Sequence, residues 1–175
     1  MKKVFIICWL PGLVAAAYVS HTSYAQSCGL KLSVESIASG SETLIEDGEL
    51  TSVPIVSAIA VQLKNETQHK IGAILPLDIT VDGEVSGIEF RIANPGGRRY
   101  NLCAQIQSNT ASIMRKLDPE ESAHLTERMS DLRVAYCLNW GRFTLTAIYH
   151  SGASQQKCNS EIISNTVEFV IPPPK

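Results

Sequence analysis

Apolar and polar residues alternate with a period of two through most of the chain beyond residue 28. Leu30, Leu32 and Val34 alternate with Lys31, Ser33 and Glu35, and Ile37 extends the run. Ile55, Ser57, Ile59, Val61 and Leu63 form a second series that stops at Asn65. Successive side chains on a strand point to opposite faces, so both runs predict half-buried strands. The polar stretch 64–70 predicts a turn, and the mostly apolar stretch 71–81, broken by Pro76, follows it. Asp82-Gly83 predicts a tight hairpin turn because both residues tolerate positive φ. Val85, Ile88, Phe90 and Ile92 continue beyond it, Asn94-Pro95-Gly96-Gly97 marks another turn, and a short strand is expected over 100–106.

The last third has the clearest alternation. Phe143, Leu145, Ala147 and Tyr149 face one way, and Arg142, Thr144, Thr146 and His150 the other. After a polar loop at 151–160, Val167, Phe169 and Ile171 alternate with Thr166 and Glu168. Pro172-Pro173-Pro174 then ends the pattern, since proline cannot donate to a ladder. These two runs predict the closing hairpin of an antiparallel sheet. Between them and the earlier strands, 118–132 supports two readings. Asp118-Pro119-Glu120-Glu121 has the chemistry of a helix start, followed by Leu125, Met129 and Leu132 at helical spacing. The meander around it favours a turn and a strand over 122–126, with a helical turn near 127–132. Taken together, seven or eight short strands with turn signals every 8–12 residues predict an all-β fold, an antiparallel β-sandwich.

The beginning of the chain has a different pattern. Lys2 and Lys3 precede an apolar run from Val4 to Val19, and Ser23-Tyr24-Ala25 offers small residues at the two positions a signal peptidase reads. Residues 1–25 therefore read as a secretory signal cut before Gln26, leaving one domain over 26–175 in an oxidising space, periplasmic or extracellular. Gln26 makes a poor lipobox ahead of Cys28, so lipid anchoring is not expected. No later run is long enough for a membrane helix. The whole chain has 15 basic and 17 acidic residues; without Lys2 and Lys3 the balance is 13 against 17, a net charge of −4. Nucleic acid, which calls for a basic face, is not an expected partner.

The order of motifs carries a resemblance. "VQLKNETQHKI", "RIANPGGRRY", "LDPEES", "WGRFTLTAIYH" and "SNTVEFVI" follow one another in the chain. Over about 30–171 this pattern resembles the immunoglobulin-like sandwich modules of secreted bacterial proteins. It is also similar to the non-catalytic N-terminal module of some secreted zinc peptidases. The resemblance implies an immunoglobulin-like topology and a contact role. The chain departs from antibody domains, where a Tyr lies two residues before the second core Cys; here Tyr136 directly precedes Cys137.

Of five cysteines, Cys8 lies in the signal, and Cys28, Cys103, Cys137 and Cys158 remain. Four cysteines in an exported domain predict two disulfides. Free thiols and a metal site are the alternatives, and no CxxC pair supports the metal. If 142–149 is a strand, Cys137 and Cys158 lie near its opposite ends, roughly 25 Å apart. A disulfide needs Cα atoms within about 7 Å. In a sandwich, the expected pairs are then Cys28–Cys158 and Cys103–Cys137.

No catalytic signature is present: there is no HExxH, GxSxG, GxGxxG or GxxxxGK[ST]. A triad built from distant residues stays open, because geometry and not spacing defines one. No catalytic residue, cofactor or metal is expected. Arg91, Arg98 and Arg99 around the 95–97 turn form either a solvated turn or a small anion or partner site. Trp140 is either an exposed binding aromatic or, the commoner role, a plug at the sandwich end. His150 is either a loop histidine beside a disulfide at Cys158 or, were Cys158 free, a metal ligand with it in a candidate binding loop. Asn65-Glu66-Thr67 fits a glycosylation acceptor, expected to be unmodified in a bacterial export. The expected function is an exported, non-catalytic binding or assembly module acting through end loops (65–70, 94–99, 151–160) or an edge strand, its partner another protein of the envelope or exterior. The alternatives are a peptidase inhibitor that uses the 151–160 loop and a structural component of the envelope.

Overall fold

The computed structural model describes residues 29–46, 49–75, 77, 79, 86–103, 113–151 and 161–173. Residues 1–25, expected as a signal, Cys28, Asp82-Gly83 and the 152–160 part of the last loop, with Cys158, lie outside the described residues, and so does the expected Cys28–Cys158 pairing. Among the described residues there are nine strands and one helix: β1 (Leu30–Glu46), β2 (Glu49–Asn65), β3 (Ile71–Leu75), β4 (Ser86–Ala93), β5 (Arg99–Tyr100), β6 (Ile113–Leu117), β7 (Ser122–Arg128), α1 (Met129–Ala135), β8 (Gly141–Ser151) and β9 (Glu161–Ile171). The chain is an all-β sandwich. The principal sheet runs β1-β2-β9-β8-β4-β5, with β7 also pairing β2, and β3 and β6 form a separate pair. β2 is the strand common to both halves: residues 58–64 pair antiparallel with β7, while Ile55 makes a parallel bridge to Val170 of β9.

The core forms where the inward faces meet. Leu32, Val34, Ile59, Val61 and Leu63 come from β1 and β2; Ile88, Phe90 and Ile92 from β4; Phe143, Leu145, Ala147 and Tyr149 from β8; and Phe169 from β9. Tyr149 is buried yet keeps its hydroxyl satisfied, accepting a 2.7 Å hydrogen bond from the Ile74 N–H, which ties β3 to the main sheet. That burial pushes the phenol pKa up.

The alternation of β2 does not run straight through. Ile59, Val61 and Leu63 are buried as expected, but Val56 is buried and Ser57 is exposed. The ladder slips twice here, skipping Ser57 on β2 and Ser39 on β1. A bulge shifts the side-chain phase by one residue, which corrects the expected inward placing of Ile55 and Ser57. Each skipped serine spans its bulge, Ser57 Oγ donating to Ile37 O at 3.0 Å and Ser39 Oγ to Ile55 O at 3.2 Å.

The competition over 118–132 resolves as a turn, a strand and then a helix. Glu121 N–H donates to Asp118 O at 3.0 Å, with Pro119 second in the turn and Glu120 third at φ 63°. That is the proline position and the positive-φ position of a type II turn. The helix starts later, at Met129. The strand expected over 100–106 is shorter: β5 holds only Arg99 and Tyr100, residues 101–103 are irregular, and 104–106 lie outside the described residues.

Asn65 closes the corner between these elements. Its side chain is fully buried. Its Nδ2 lies 2.7 Å from His69 O, 3.1 Å from Leu117 O and 3.0 Å from Asp118 O. Its Oδ1 accepts from Thr67 N–H at 3.0 Å and Thr67 Oγ1 at 2.8 Å. The Asn65 backbone pairs with Glu120 and Glu121. Gly29 fits against this corner at φ +81°, where a Cβ would overlap Thr67 Cγ2. Outside it, Lys31–Glu66, Lys64–Glu120, Lys70–Asp118 and Arg115–Glu121 form exposed ion pairs, each worth little alone.

The helix ends in a Schellman motif: Leu138 N–H donates to Arg133 O at 2.9 Å and Cys137 N–H to Val134 O at 3.3 Å. Cys137 therefore holds the left-handed position, at φ 49°, where glycine is usual. It is bonded to Cys103, with Cα atoms 5.9 Å apart. Cys103 N–H also caps Ala135 O at 2.8 Å.

Two stability predictions follow from these contacts. Asn65→Ala should cost about 3 kcal/mol, because it leaves buried carbonyls and the Thr67 donors unsatisfied. Asn65→Asp, although of the same shape, should be no better at neutral pH, because a carboxylate cannot donate to three carbonyls. Urea midpoints at unchanged m-value measure both. Removing the disulfide should cost about 4 kcal/mol for a separation of 34 residues in the chain-entropy model. Cys103→Ala with Cys137→Gly should be about 1 kcal/mol more stable than Cys103→Ala with Cys137→Ala, since only glycine is unstrained at that φ.

Candidate functional site

β4 buries Ile88, Phe90 and Ile92 and turns Glu89 and Arg91 to the outer face. Its antiparallel register with β8 sets Gly87 opposite His150 and Arg91 opposite Thr146. His150 is thus diagonal to Glu89, and their side chains meet: His150 Nε2 lies 2.9 Å from Glu89 Oε2. Arg91 Nε donates to Glu89 Oε1 at 2.9 Å. Glu161, opposite His150 on β9, brings Oε1 within 3.9 Å of His150 Nδ1. Burial pushes the Glu89 carboxyl up, but hydrogen bonds from Arg91 and His150, with their charges, outweigh it and hold the pKa below its ordinary 4.5.

Next to this group lies the β4–β5 turn. Asn94 shapes it: Oδ1 accepts from Arg98 N–H at 2.9 Å, its carbonyl accepts from Gly97 N–H at 2.9 Å, and Gly97 adopts φ +77°. The turn places Arg98 over the Tyr100 ring, 5.4 Å from its centroid. Tyr100 packs edge-on against Phe143, and Phe143 stacks on Phe169. Arg98 is the outer end of a stack rooted in the core. Arg99 is exposed and makes no ion pair with any described residue. A cleft of about 90 Å³ opens here, lined by Glu89, Arg91, Arg99, Tyr100, Asn101 and Tyr136 among others.

The expected site residues thus fall in different places. Arg91 and Arg99 share one cleft, with Arg98 stacked on its Tyr100 wall. His150 belongs to a strand and not to a loop, on the outer face through Glu89. Trp140, just before β8, is 61% exposed, which overturns its reading as a plug; Phe143, Tyr100 and Phe169 supply aromatic packing instead. Asn65 is sealed in the corner, so the Asn65-Glu66-Thr67 acceptor amide is inaccessible in the folded chain. Glu89 is the residue that sequence reasoning missed. The Ile88-Phe90-Ile92 alternation assigns it to the outer face with Arg91, but the register that brings His150 alongside cannot be read locally.

Chemically, both ring nitrogens of His150 face carboxylates, and no hydroxyl bonds to it among the described residues. The group holds and orients charge through these contacts. Among the described residues, no three His, Cys, Asp or Glu side chains gather as a metal site would require. No helix of the described residues is long and apolar enough to cross a membrane.

A second feature lies at the edge of the sheet. Val34 of β1 is pinned to β9 by Asn165, whose Oδ1 accepts from Val34 N–H and whose Nδ2 donates to Val34 O. Gly40 pairs with Ile55, which bridges Val170 near the end of β9. Among the described residues, Ile55 is the one β2 residue with a ladder partner on β9. Residues 41–46 and 49–54 pair only with each other among the named strands. Six residues of strand reach about 20 Å. Leu50 on this ribbon is 74% exposed. From 32 to 63 the chain has five acidic residues (Glu35, Glu42, Glu46, Asp47 and Glu49) and no basic one.

No known family model matches the chain, and no curated protein matches it.

The Glu89 carboxyl gives a pH test. A pKa lowered on folding contributes stability that is full above the ordinary carboxylate pKa and is lost as pH falls through the folded value. Glu89→Gln should remove that part of the acid sensitivity: variant and parent should differ most near neutral pH and converge as pH falls through the lowered carboxyl pKa. Urea midpoints across this range measure it.

Proposed function

We propose that the protein is an exported, non-catalytic binding or assembly module that makes contact through an edge strand, the β1–β2 ribbon. The outer half of this ribbon carries the reading, because residues 41–46 and 49–54 pair with no third strand among the described residues. A two-stranded ribbon is marginal in water, and its outer edges leave N–H and C=O groups without a ladder partner. Sheet edges of this kind accept an added strand from another chain, with main-chain bonds giving affinity. The exposed Leu50 supplies an apolar contact, and the uninterrupted acidic character of 32–63 steers toward a basic partner surface. The partner is another protein of the envelope or exterior. An immunoglobulin-like arrangement of the strands fits this role, because such sandwiches use their ends and edges for recognition.

Site-specific photocrosslinking in the native envelope tests the reading. A photoreactive residue at Leu50 should give discrete protein adducts, while one at Thr166, exposed on β9, should not. Leu50→Lys, with an unchanged melting curve, should weaken capture at a neighbouring ribbon position. Adducts from position 166 alone, or none from the ribbon, overturn the proposal.

A further inference from the structure

We infer that the cleft beside the β4–β5 turn is a carboxylate-binding site, with Arg91 and Arg99 as its cationic groups. This inference stands on different residues from the ribbon and does not depend on it. Its first support is the state of Arg91. Glu89 engages the Arg91 Nε, and His150 engages the other Glu89 oxygen. The guanidinium is held in place while its terminal nitrogens make no hydrogen bond to described residues. Arginine presents five donors in a planar fork, and the terminal pair matches a carboxylate. Glu89 acts as a positioning residue, its charge answered by Arg91 and His150.

The second support is the setting. Arg99 brings a second guanidinium with no ion-pair partner among the described residues, and Asn101 adds an exposed amide. The lining has two guanidinium groups, Arg91 and Arg99, against one carboxylate, Glu89; Arg98 stands over the Tyr100 wall, and Glu161 approaches the group only at His150, in a chain whose net charge is −2. This local excess of cationic side chains favours an anion at this spot. The cleft, at about 90 Å³, holds roughly six waters at about 15 Å³ each, the size of one carboxylate on a short stem. A monoanion suits it better than phosphate, because Glu89 in the lining repels a dianion more strongly.

The third support is rigidity. Asn101 and Leu102 lead directly into Cys103, and Tyr136 directly precedes Cys137. The Cys103–Cys137 bond therefore clamps together the two backbone segments that line the cleft. Holding a receptor in its binding geometry lowers the ordering cost of association. The ligand class is an acidic side chain or chain end, from another protein or from the acidic ribbon of a second copy.

The experiment titrates isotope-labelled, oxidised protein, following backbone amide shifts. N-acetylglutamate α-amide supplies one side-chain carboxylate, and N-acetylglutamine α-amide is the neutral control. Saturable shifts should appear at 89–92 and 99–102 with the first and not the second. Arg99→Gln should weaken half-saturation about tenfold, with Arg99→Lys recovering part of the loss. Cys103→Ala with Cys137→Gly should weaken binding severalfold without unfolding the sheet. A peptide of residues 40–56 that binds more tightly than N-acetylglutamate α-amide assigns the source to a second copy; equal or weaker binding assigns it to other acidic segments. Shifts that do not saturate, equal response to the glutamine analogue, tighter binding of inorganic phosphate, or an unaffected Arg99→Gln variant would each overturn the inference.

Discussion

A single buried amide holds the corner on which the sandwich turns. Asn65 ends β2, yet its side chain satisfies the turn that leaves β2 and the turn that joins β6 to β7. An amide suits this position because it donates and accepts at once. A carboxylate lacks the donors, and an apolar residue would strand several carbonyls away from water. Neighbouring constraints follow from the same closeness. Gly29 has no room for a Cβ beside Thr67, and Glu120, at the positive-φ position of the 118–121 turn, donates its N–H to the Asn65 carbonyl. The polar corner has little freedom to rearrange, because its parts are fully buried or bonded on several sides.

A similar logic works at the helix end through covalent chemistry. Cys137 occupies a left-handed position that a side chain resists. The disulfide to Cys103 makes that conformation worth keeping, because it brings the 101–103 segment against the helix C-terminus, where Cys103 caps an otherwise unmet carbonyl. Local strain and long-range constraint thus support each other. The same bond sets the spacing between two walls of the arginine-lined cleft. Stability and site geometry are linked there through one pair of residues.

The edge of the sheet follows from imperfect pairing. Two bulges between β1 and β2 change which side chains face inward, and serine hydroxyls answer the carbonyls that the bulges leave. Asn165 does similar work on β9, pairing with both backbone groups of Val34 where a regular ladder is interrupted. These side-chain bridges satisfy backbone groups where the ladders slip. Beyond them Leu50 is exposed while Val53 of the same strand stays buried.

Period-two alternation was enough to identify the all-β class and most of its strands. Phe143, Leu145, Ala147 and Tyr149 on one face of β8 need only the pleat to explain them. Turn chemistry was equally local at Asn94-Pro95-Gly96-Gly97, whereas the local chemistry of Asp118-Pro119-Glu120-Glu121 reads as a helix start and the structure makes it a turn against Asn65. The residues that only tertiary structure decided depend on contacts far apart in sequence. Ser57 changed phase because its partner strand also slipped, Trp140 is exposed while Tyr100, Phe143 and Phe169 make the aromatic packing, and Glu89 met His150 through a register between strands about 60 residues apart. A pleat is dictated by each residue and its neighbours, whereas register, burial and charge pairing depend on which distant strand arrives alongside. That is why the sandwich could be read from the chain, and its cleft and ribbon could not.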